Sequence, residues 1–320
     1  MRQQLLALAI GVALFGPVAA TAQGGAAEPP VTSWGDPALG GVWDFRTITP
    51  LERPEELGDQ EFLSEEEAAA REQEAAERDR AMDEKPAERT EAGGSVGAYN
   101  WFWMDFGTQV VESRRTSLIV DPPNGRRPPM TPEAIEAARN TPAWGQEPPP
   151  DTYLDRNSFD RCIGTMALPI YPTAYNNNVQ IFQTPDHVAM YVEMMGSIRI
   201  IPLDDRPPTG IRQPLGDSRG RWEGDTLVVE TTNLSRRLTI IGASANARSL
   251  VERFRRVSPD ILEYTFTIDD PTVWTSPWTA VQTLRPLDGQ VFEYACHEGN
   301  YAMPNILAGA RKAEAEAAPR

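Results

Sequence analysis

Residues 250–269 read LVERFRRVSPDILEYTFTID. In the second half of this stretch, from Ile261 to Asp269, apolar residues alternate with polar ones, which is typical of a β-strand with one buried face. The residues Ser258-Pro259-Asp260 separate this strand from the one before it, and proline and aspartate favour a turn there. The stretch therefore predicts a hairpin of two antiparallel strands.

The same succession of short strands and turns continues on both sides of this hairpin. Consecutive hairpins with few helices between them predict an antiparallel meander. A closed or strongly curled sheet would hide the edges of so many strands. We therefore expect a mainly β fold, a curled or barrel-like antiparallel meander with a helical insertion and a C-terminal helix. The predicted strands cover residues 40–45, 179–183, 187–194, 198–203, 219–222, 226–232, 250–257, 261–269, 278–285 and 290–297.

Three helices interrupt or follow the predicted meander. Ser64 and Glu67 form a capping-box pattern at the start of a helix over 64–84, inside a helical insertion at about 60–90. Thr131-Pro132 begins a second, short helix, because proline suits the first helical position. An alanine-rich, charged stretch predicts a third helix over 304–318.

Residues 1–22 have the pattern of a secretory signal peptide, with a positive start, an apolar run and the small-residue cleavage site Ala20-Thr21-Ala22. No other apolar stretch has the length of a membrane span. We expect an exported protein, periplasmic or secreted, without a membrane span. The domains expected after the signal peptide are a flexible lead-in at 23–39, a β domain at 40–303, and a C-terminal helix and tail at 304–320.

The charge balance excludes several classes of function. Acidic residues outnumber basic ones by 46 to 30, and the net charge of −16 argues against binding to nucleic acid. The two lysines, Lys85 and Lys312, lie in charged stretches, which argues against Schiff-base chemistry. The sequence contains no glycine-rich phosphate loop, dinucleotide fingerprint or haem-attachment pair. We expect no cofactor and a small-molecule partner; no pattern assigns an oligomeric state.

The chain has two cysteines, Cys162 and Cys296. In an oxidising compartment an even pair most simply forms a disulfide, which here would close a long loop. The alternative is two separate buried thiols.

The two histidines, His187 and His297, are the first candidates for acid/base catalysis. On the predicted strands, Glu193 shares a face with His187, whereas Glu293 and Glu298 lie close to His297. One hypothesis is that these five residues converge on a catalytic site; the alternative is that they belong to polar outer faces of strands. Two histidines and a carboxylate could also bind a metal ion. No compact ligand spacing supports this, so we assign no metal.

A further pattern, Gly-x-Ser-x-Gly, occurs at residues 216–220. In hydrolases this serine is a nucleophile on a sharp turn between a strand and a helix. A strand hairpin follows Ser218 in this sequence, so we interpret the pattern as a polar turn.

Residues 99–106 read YNWFWMDF and form the densest aromatic stretch of the chain. Aromatic clusters beside polar amides line pockets for rings, sugars or lipids. We expect one dominant cavity with Trp101 and Trp103 in its wall and a histidine near its polar end. The alternative is that this segment closes an open end of the sheet with ordinary core. The residues expected to contact a ligand are Tyr99, Asn100, Trp101, Trp103, Tyr175, Asn177 and Arg199.

The first strand carries Gly41-Val42-Trp43, which resembles the Gly-x-Trp opening of lipocalins and other calycins. That resemblance implies a barrel that carries a small apolar ligand. The chain is longer than a lipocalin and has a helix-rich insertion after the first strand. Three further stretches resemble a group of exported bacterial proteins of unassigned function, namely Tyr175-Asn176-Asn177-Asn178, Arg221-Trp222-Glu223-Gly224-Asp225-Thr226 and Tyr294-Ala295-Cys296-His297-Glu298-Gly299-Asn300.

These features leave three hypotheses for the function. The first is an exported, carrier-like protein that binds a partly apolar or aromatic small molecule. The second is a cofactor-independent lyase, isomerase or hydrolase that uses His187 and His297. The third is an envelope interaction protein whose charged helix at 64–84 meets a partner, and a helix that leaves the body of the domain would favour it.

Overall fold

The computed structural model describes residues 28–84, 104–142, 147–164, 166–235 and 249–317. Within these ranges the protein is mainly β, as the alternation of apolar and polar residues predicts. The strands there are β1 (Gly41–Asp44), β2 (Ile119–Asp121), β3 (Asn178–Gln183), β4 (His187–Val192), β5 (Ser197–Pro202), β6 (Asp217–Glu223), β7 (Thr226–Thr232), β8 (Ser249–Ser258), β9 (Ile261–Asp269) and β10 (Trp278–Pro286). The helices are α1 (Glu65–Asp83), α2 (Pro132–Arg139) and α3 (Ala302–Ala317).

Nine of these strands form a nearly closed antiparallel barrel in the order β5-β4-β3-β1-β10-β9-β8-β7-β6. The predicted hairpins supply two meanders, β3 to β5 and β6 to β10. β1 joins the two, because Trp43 lies opposite Val179 of β3 and Pro286 of β10. The expected curled meander is confirmed. The short strand β2 is not one of the nine barrel strands and pairs with β10 alone among the described strands.

The barrel remains open between β5 and β6. Every neighbouring pair along the path of nine strands is antiparallel, so the two end strands run in the same direction. Parallel neighbours cannot continue the antiparallel hydrogen-bond pattern. Side-chain packing brings the two strands together instead, and it depends on Gly220. A Cβ atom there would lie 2.7 Å from Leu203 Cδ2 and 2.9 Å from Ile201 Cγ2.

We expect Gly220→Ala to lower the free energy of unfolding by about 1–3 kcal/mol, because the added methyl group would overpack this seam. Urea denaturation followed by tryptophan fluorescence measures the loss. Gly299→Ala is the matched control, since a Cβ atom at Gly299 meets nothing within 4 Å. Equal stability of the two variants would contradict the close approach of β5 and β6.

The barrel interior is filled with protein. Inward-facing side chains, among them Phe254 and Trp278, are fully buried, and so are Ala167, Leu168 and Ile170. We call residues 166–170 the plug. Three inward-facing side chains form hydrogen bonds with its backbone. Arg199 Nη1 donates to Ala167 O at 3.0 Å, and Gln282 Nε2 donates to Ile170 O at 2.9 Å. Tyr264 Oη accepts from the Ile170 amide at 3.1 Å. The plug thus occupies interior space that an open barrel would offer to a ligand.

The three predicted helices are present. Ser64 Oγ accepts a hydrogen bond from the Glu67 amide, and the Glu67 carboxylate accepts one from the Ser64 amide, so the capping box is confirmed. Thr131 caps α2, and α3 follows the barrel.

Helix α1 lies against the body of the domain, since Ala68 and Ala75 are buried. It does not leave the body, an arrangement that would have favoured the third hypothesis. No helix in the described ranges has the length and apolar composition needed to cross a bilayer.

The predicted strand at 290–297 is wrong. These residues lie in a loop after β10 that contains no strand. Alternating residues form a strand only where a neighbour offers a free edge, and β10 already pairs with β1 and β9. The loop is fastened to the barrel instead, because Glu193 Oε1 accepts from the Phe292 amide at 3.1 Å and Tyr191 Oη donates to Phe292 O at 3.2 Å.

The predicted disulfide is confirmed. Cys162 and Cys296 are bonded, with their Cα atoms 5.6 Å apart. Asn300 supports the same junction, because its amide nitrogen donates to Asp160 O at 2.9 Å. The bond ties the loop after β10 to the segment that precedes the plug.

Candidate functional site

The plug continues directly into the wall of a cleft at the barrel rim. After Ile170 the chain leaves the interior, and residues 171–174 form one side of this cleft. The cleft has a volume of about 450 Å³, which is in the range of small-molecule sites. We call it the rim cleft. Its lining residues are Thr47, Ile48, Thr49, Pro50, Arg78, Phe106, Tyr171, Pro172, Thr173 and Ala174.

A smaller cavity of about 180 Å³ adjoins the rim cleft under helix α1. The two share Arg78 and the segment 48–50, so they form one groove between α1 and the barrel. We call the smaller one the side cavity. Its remaining lining residues are Leu63, Arg71, Glu74, Ala75, Val110, Arg115 and Thr116.

Asn177 holds the wall of the rim cleft in place. The side chain is fully buried just before β3, and its Oδ1 accepts from the Thr173 amide at 2.6 Å. Its Nδ2 donates to Asp105 O at 2.8 Å and to Thr173 O at 2.9 Å. Oδ1 also lies 3.2 Å from Thr173 Oγ1, so all four hydrogen-bonding positions of this amide face the protein itself. Asn177, expected to contact a ligand, therefore supports the residues that line the cleft.

Tyr171 offers the rim cleft a hydroxyl group. The side chain is half-buried, and in the described part of the chain its hydroxyl forms no hydrogen bond. Burial raises the pKa of Tyr171, and the nearby Arg127 opposes this shift only in part. The phenol is thus neutral at physiological pH and can donate a hydrogen bond into the cleft.

A second set of polar groups lies inside the barrel, and we call it the interior polar cluster. Arg199, expected to contact a ligand, is 3 % exposed and donates to both carboxylate oxygens of Glu252, at 3.0 and 2.6 Å. Tyr264 Oη donates to Glu252 Oε1 at 2.7 Å. Arg199 Nη2 also donates to Ser218 Oγ at 3.2 Å and to Thr231 Oγ1 at 3.3 Å. Burial beside the Glu252 carboxylate holds the pKa of Tyr264 well above its ordinary value.

Ser218 does not occupy a strand-to-helix elbow. It lies within strand β6, 6 % exposed, and its hydroxyl is 2.9 Å from Thr231 Oγ1. The cluster as a whole connects β5, β6, β7, β8, β9 and the plug. Its role is therefore to stabilise the barrel.

The two histidines lie in different elements. His187 begins β4 opposite Pro202 of β5, and His297 is exposed in the loop after β10. Within the described residues, neither imidazole forms a hydrogen bond or an ion pair with a candidate glutamate. Glu193 is buried and binds Asn178 Nδ2 at 2.6 Å besides the Phe292 amide, whereas Glu293 and Glu298 are exposed. The described ranges contain no group of three His, Cys, Asp or Glu side chains placed to hold a metal ion.

The aromatic stretch contributes to the rim cleft through its last residue. Phe106 lines the cleft, while Tyr99, Asn100, Trp101 and Trp103 lie outside the described residues. Tyr175 follows the cleft wall, and its carbonyl accepts from Thr173 Oγ1 at 2.8 Å. The residues at 47–50 and 171–174 were missed from the sequence, because irregular segments carry no periodic pattern.

Two other cavities lie away from this groove, and neither has a histidine in its wall. One, of about 380 Å³, follows the open seam between β5 and β6. The other, of about 700 Å³, is walled chiefly by residues 154–163, which contain one short 3-10 turn and no longer element. Its Arg156 is already paired with Asp160 at 2.7 Å. The rim cleft is better defined, because α1, the plug and the buried Asn177 amide fix its walls.

Comparisons with known proteins assign no family to the chain. No protein-family model matches it, and no curated protein does. Among solved structures, it is similar to a secretary abundant heat soluble (SAHS) protein from Ramazzottius varieornatus. The two are 19% identical over 41% of this chain and 87% of that chain, with a TM-score of 0.25.

Proposed function

We propose that the protein binds a small, partly aromatic molecule in the rim cleft. The observation that carries this proposal is a cleft of about 450 Å³ lined by Phe106, Tyr171 and Pro172 and braced by a fully buried amide. Ligand sites are concave, largely apolar and mostly preformed, with a few polar groups that orient the ligand. The filled barrel supports the same choice, because the plug occupies interior space that an open barrel would offer to a ligand.

We also infer that the protein works outside the cytoplasm. The pattern of residues 1–22 and the Cys162–Cys296 disulfide support export, since disulfides persist in oxidising compartments. Cell fractionation tests this inference, and recovery of the full-length chain from the cytoplasm would contradict it.

The binding proposal predicts that Phe106→Ala weakens the uptake of an uncharged aromatic probe. N-phenylnaphthylamine is suitable, because its fluorescence rises when it enters an apolar site. We expect the affinity to fall about 5–30-fold, which corresponds to about 1–2 kcal/mol of lost apolar contact. Fluorescence titration gives the dissociation constants.

Phe182→Ala is the matched control for this titration. Phe182 is 53% exposed on β3, away from the rim cleft, so its loss should leave the affinity unchanged. The proposal fails if the wild-type protein does not bind the probe, or if both variants reduce binding equally.

A further inference from the structure

Helix α1 turns one face toward the groove formed by the rim cleft and the side cavity. Arg71, Glu74, Ala75 and Arg78 line this groove. Residues three and four apart lie side by side on a helix, so Arg71 and Arg78 flank the buried Ala75. The burial of Ala75 fixes the rotation of α1 about its axis, and both arginine stems are thereby directed along the groove.

The charge of this groove is opposite to that of the whole protein. The chain has a net charge of −16, yet the side cavity is lined by three arginines and a single acidic residue, Glu74. Arg115 is committed elsewhere, because it pairs with Glu61 at 2.6 Å and lies over the Phe62 ring. The other two arginines belong to α1. Glu74 lies three residues from Arg71 and four from Arg78 on this helix, but within the described residues its exposed carboxylate pairs with neither.

Arg71 and Arg78 are available to a ligand. Within the described residues, the half-buried Arg71 guanidinium forms no hydrogen bond and no ion pair. In the part of the chain that the structure describes, Arg78 pairs with its neighbour Asp79 alone, at 3.1 Å, and 48% of its side chain is exposed. Exposed pairs of this kind are worth little, so a bound anion can take the place of Asp79.

Among the described residues that line the opposite wall of the groove, none is acidic. Tyr171 remains a neutral donor there, and the nearby Glu52 is neutralised by Arg127 at 2.9 Å. A planar guanidinium binds carboxylate and sulfonate oxygens well, because it presents several donors in a fixed plane.

We propose that the ligand of the rim cleft carries an anionic group, a carboxylate or a sulfonate, which binds between Arg71 and Arg78 while its aromatic body contacts Phe106 and Tyr171. This inference rests on the proposed function and names the chemical class of the ligand. The two arginines of α1 would recognise the anionic group, and the aromatic side chains of the rim cleft would recognise the aromatic body.

Two fluorescent probes that differ by one anionic group test this assignment. Anilinonaphthalene sulfonate carries a sulfonate on the same aromatic body as N-phenylnaphthylamine. The wild-type protein should bind the sulfonate probe more tightly, and added salt should reduce its advantage. Arg71→Gln and Arg78→Gln should each weaken the sulfonate probe about 5–20-fold and change the affinity of the neutral probe less than about twofold.

Arg80→Gln is the matched control, because Arg80 is an exposed residue of the same helix and lines neither cavity. It should leave both affinities unchanged. The assignment is overturned if the arginine variants keep the wild-type ratio of the two affinities, or if Arg80→Gln has the same effect as Arg71→Gln. The binding proposal would survive that result provided Phe106→Ala still weakens the neutral probe. Failure of both probes to bind would overturn both proposals.

Discussion

Glu252→Gln is expected to lower the free energy of unfolding by about 3–5 kcal/mol at neutral pH. The Glu252 carboxylate is fully buried, and it neutralises Arg199, whose side chain is 1% exposed. The substituted amide would keep the shape of the side chain but leave the guanidinium charge inside the barrel without a counter-charge. The loss should extend to the plug, because Arg199 also donates to Ala167 O. Urea denaturation followed by tryptophan fluorescence measures this change.

The outer face of the same barrel provides the control. Glu230 pairs with Arg221 at 2.7 Å, and its side chain is 52% exposed. Glu230→Gln should therefore cost less than about 1 kcal/mol. The double variant Arg199→Met/Glu252→Leu removes both buried charges and should recover much of the loss. If Glu252→Gln were no more harmful than Glu230→Gln, the buried pair would not hold the barrel and the plug together.

Removal of the disulfide is expected to have a comparable effect. Cys162 and Cys296 are 134 residues apart, and the loop that they close contains eight of the nine barrel strands. In the chain-entropy model, closing a loop of this length stabilises the folded state by about 5 kcal/mol. The variant Cys162→Ser/Cys296→Ser should thus unfold at a markedly lower urea concentration than the oxidised wild type.

The reduced wild-type protein is the reference for this variant, because it keeps both sulfur atoms and lacks only the bond. It should unfold at nearly the same urea concentration as the double serine variant. Coincident unfolding of the oxidised and reduced wild type would show that the bond does not stabilise the barrel.

The strands could be predicted from the sequence because each side chain faces either the core or the solvent. The same rule failed at residues 290–297, because the preceding strand β10 already has both of its edges paired. β2 was missed because three residues are too few to show a period. The central position of β1 was missed as well, since alternation does not reveal which distant strand becomes a neighbour.

The interior polar cluster could have been recognised from the sequence, because charged residues occupy positions that the alternation assigns to the core. Glu252 occupies an inward position of β8, between Leu250 and Phe254, and a charged residue there requires a buried partner. Arg199 likewise occupies an inward position of β5, between Ser197 and Ile201. Nothing comparable marks the rim cleft, because its walls are irregular segments brought together by the plug and by α1.

The position of β1 also has a consequence for the time at which the barrel can close. Trp43 is made about 240 residues before its partner Pro286, which at about 5–20 residues per second means roughly 10–50 s of synthesis. Meanwhile β6 to β9 can assemble from local contacts, which form faster than distant ones. The earliest strand thus waits with its β10 edge unpaired until the last strand is made. β1 is therefore the part of the nascent chain that we expect a chaperone to cover.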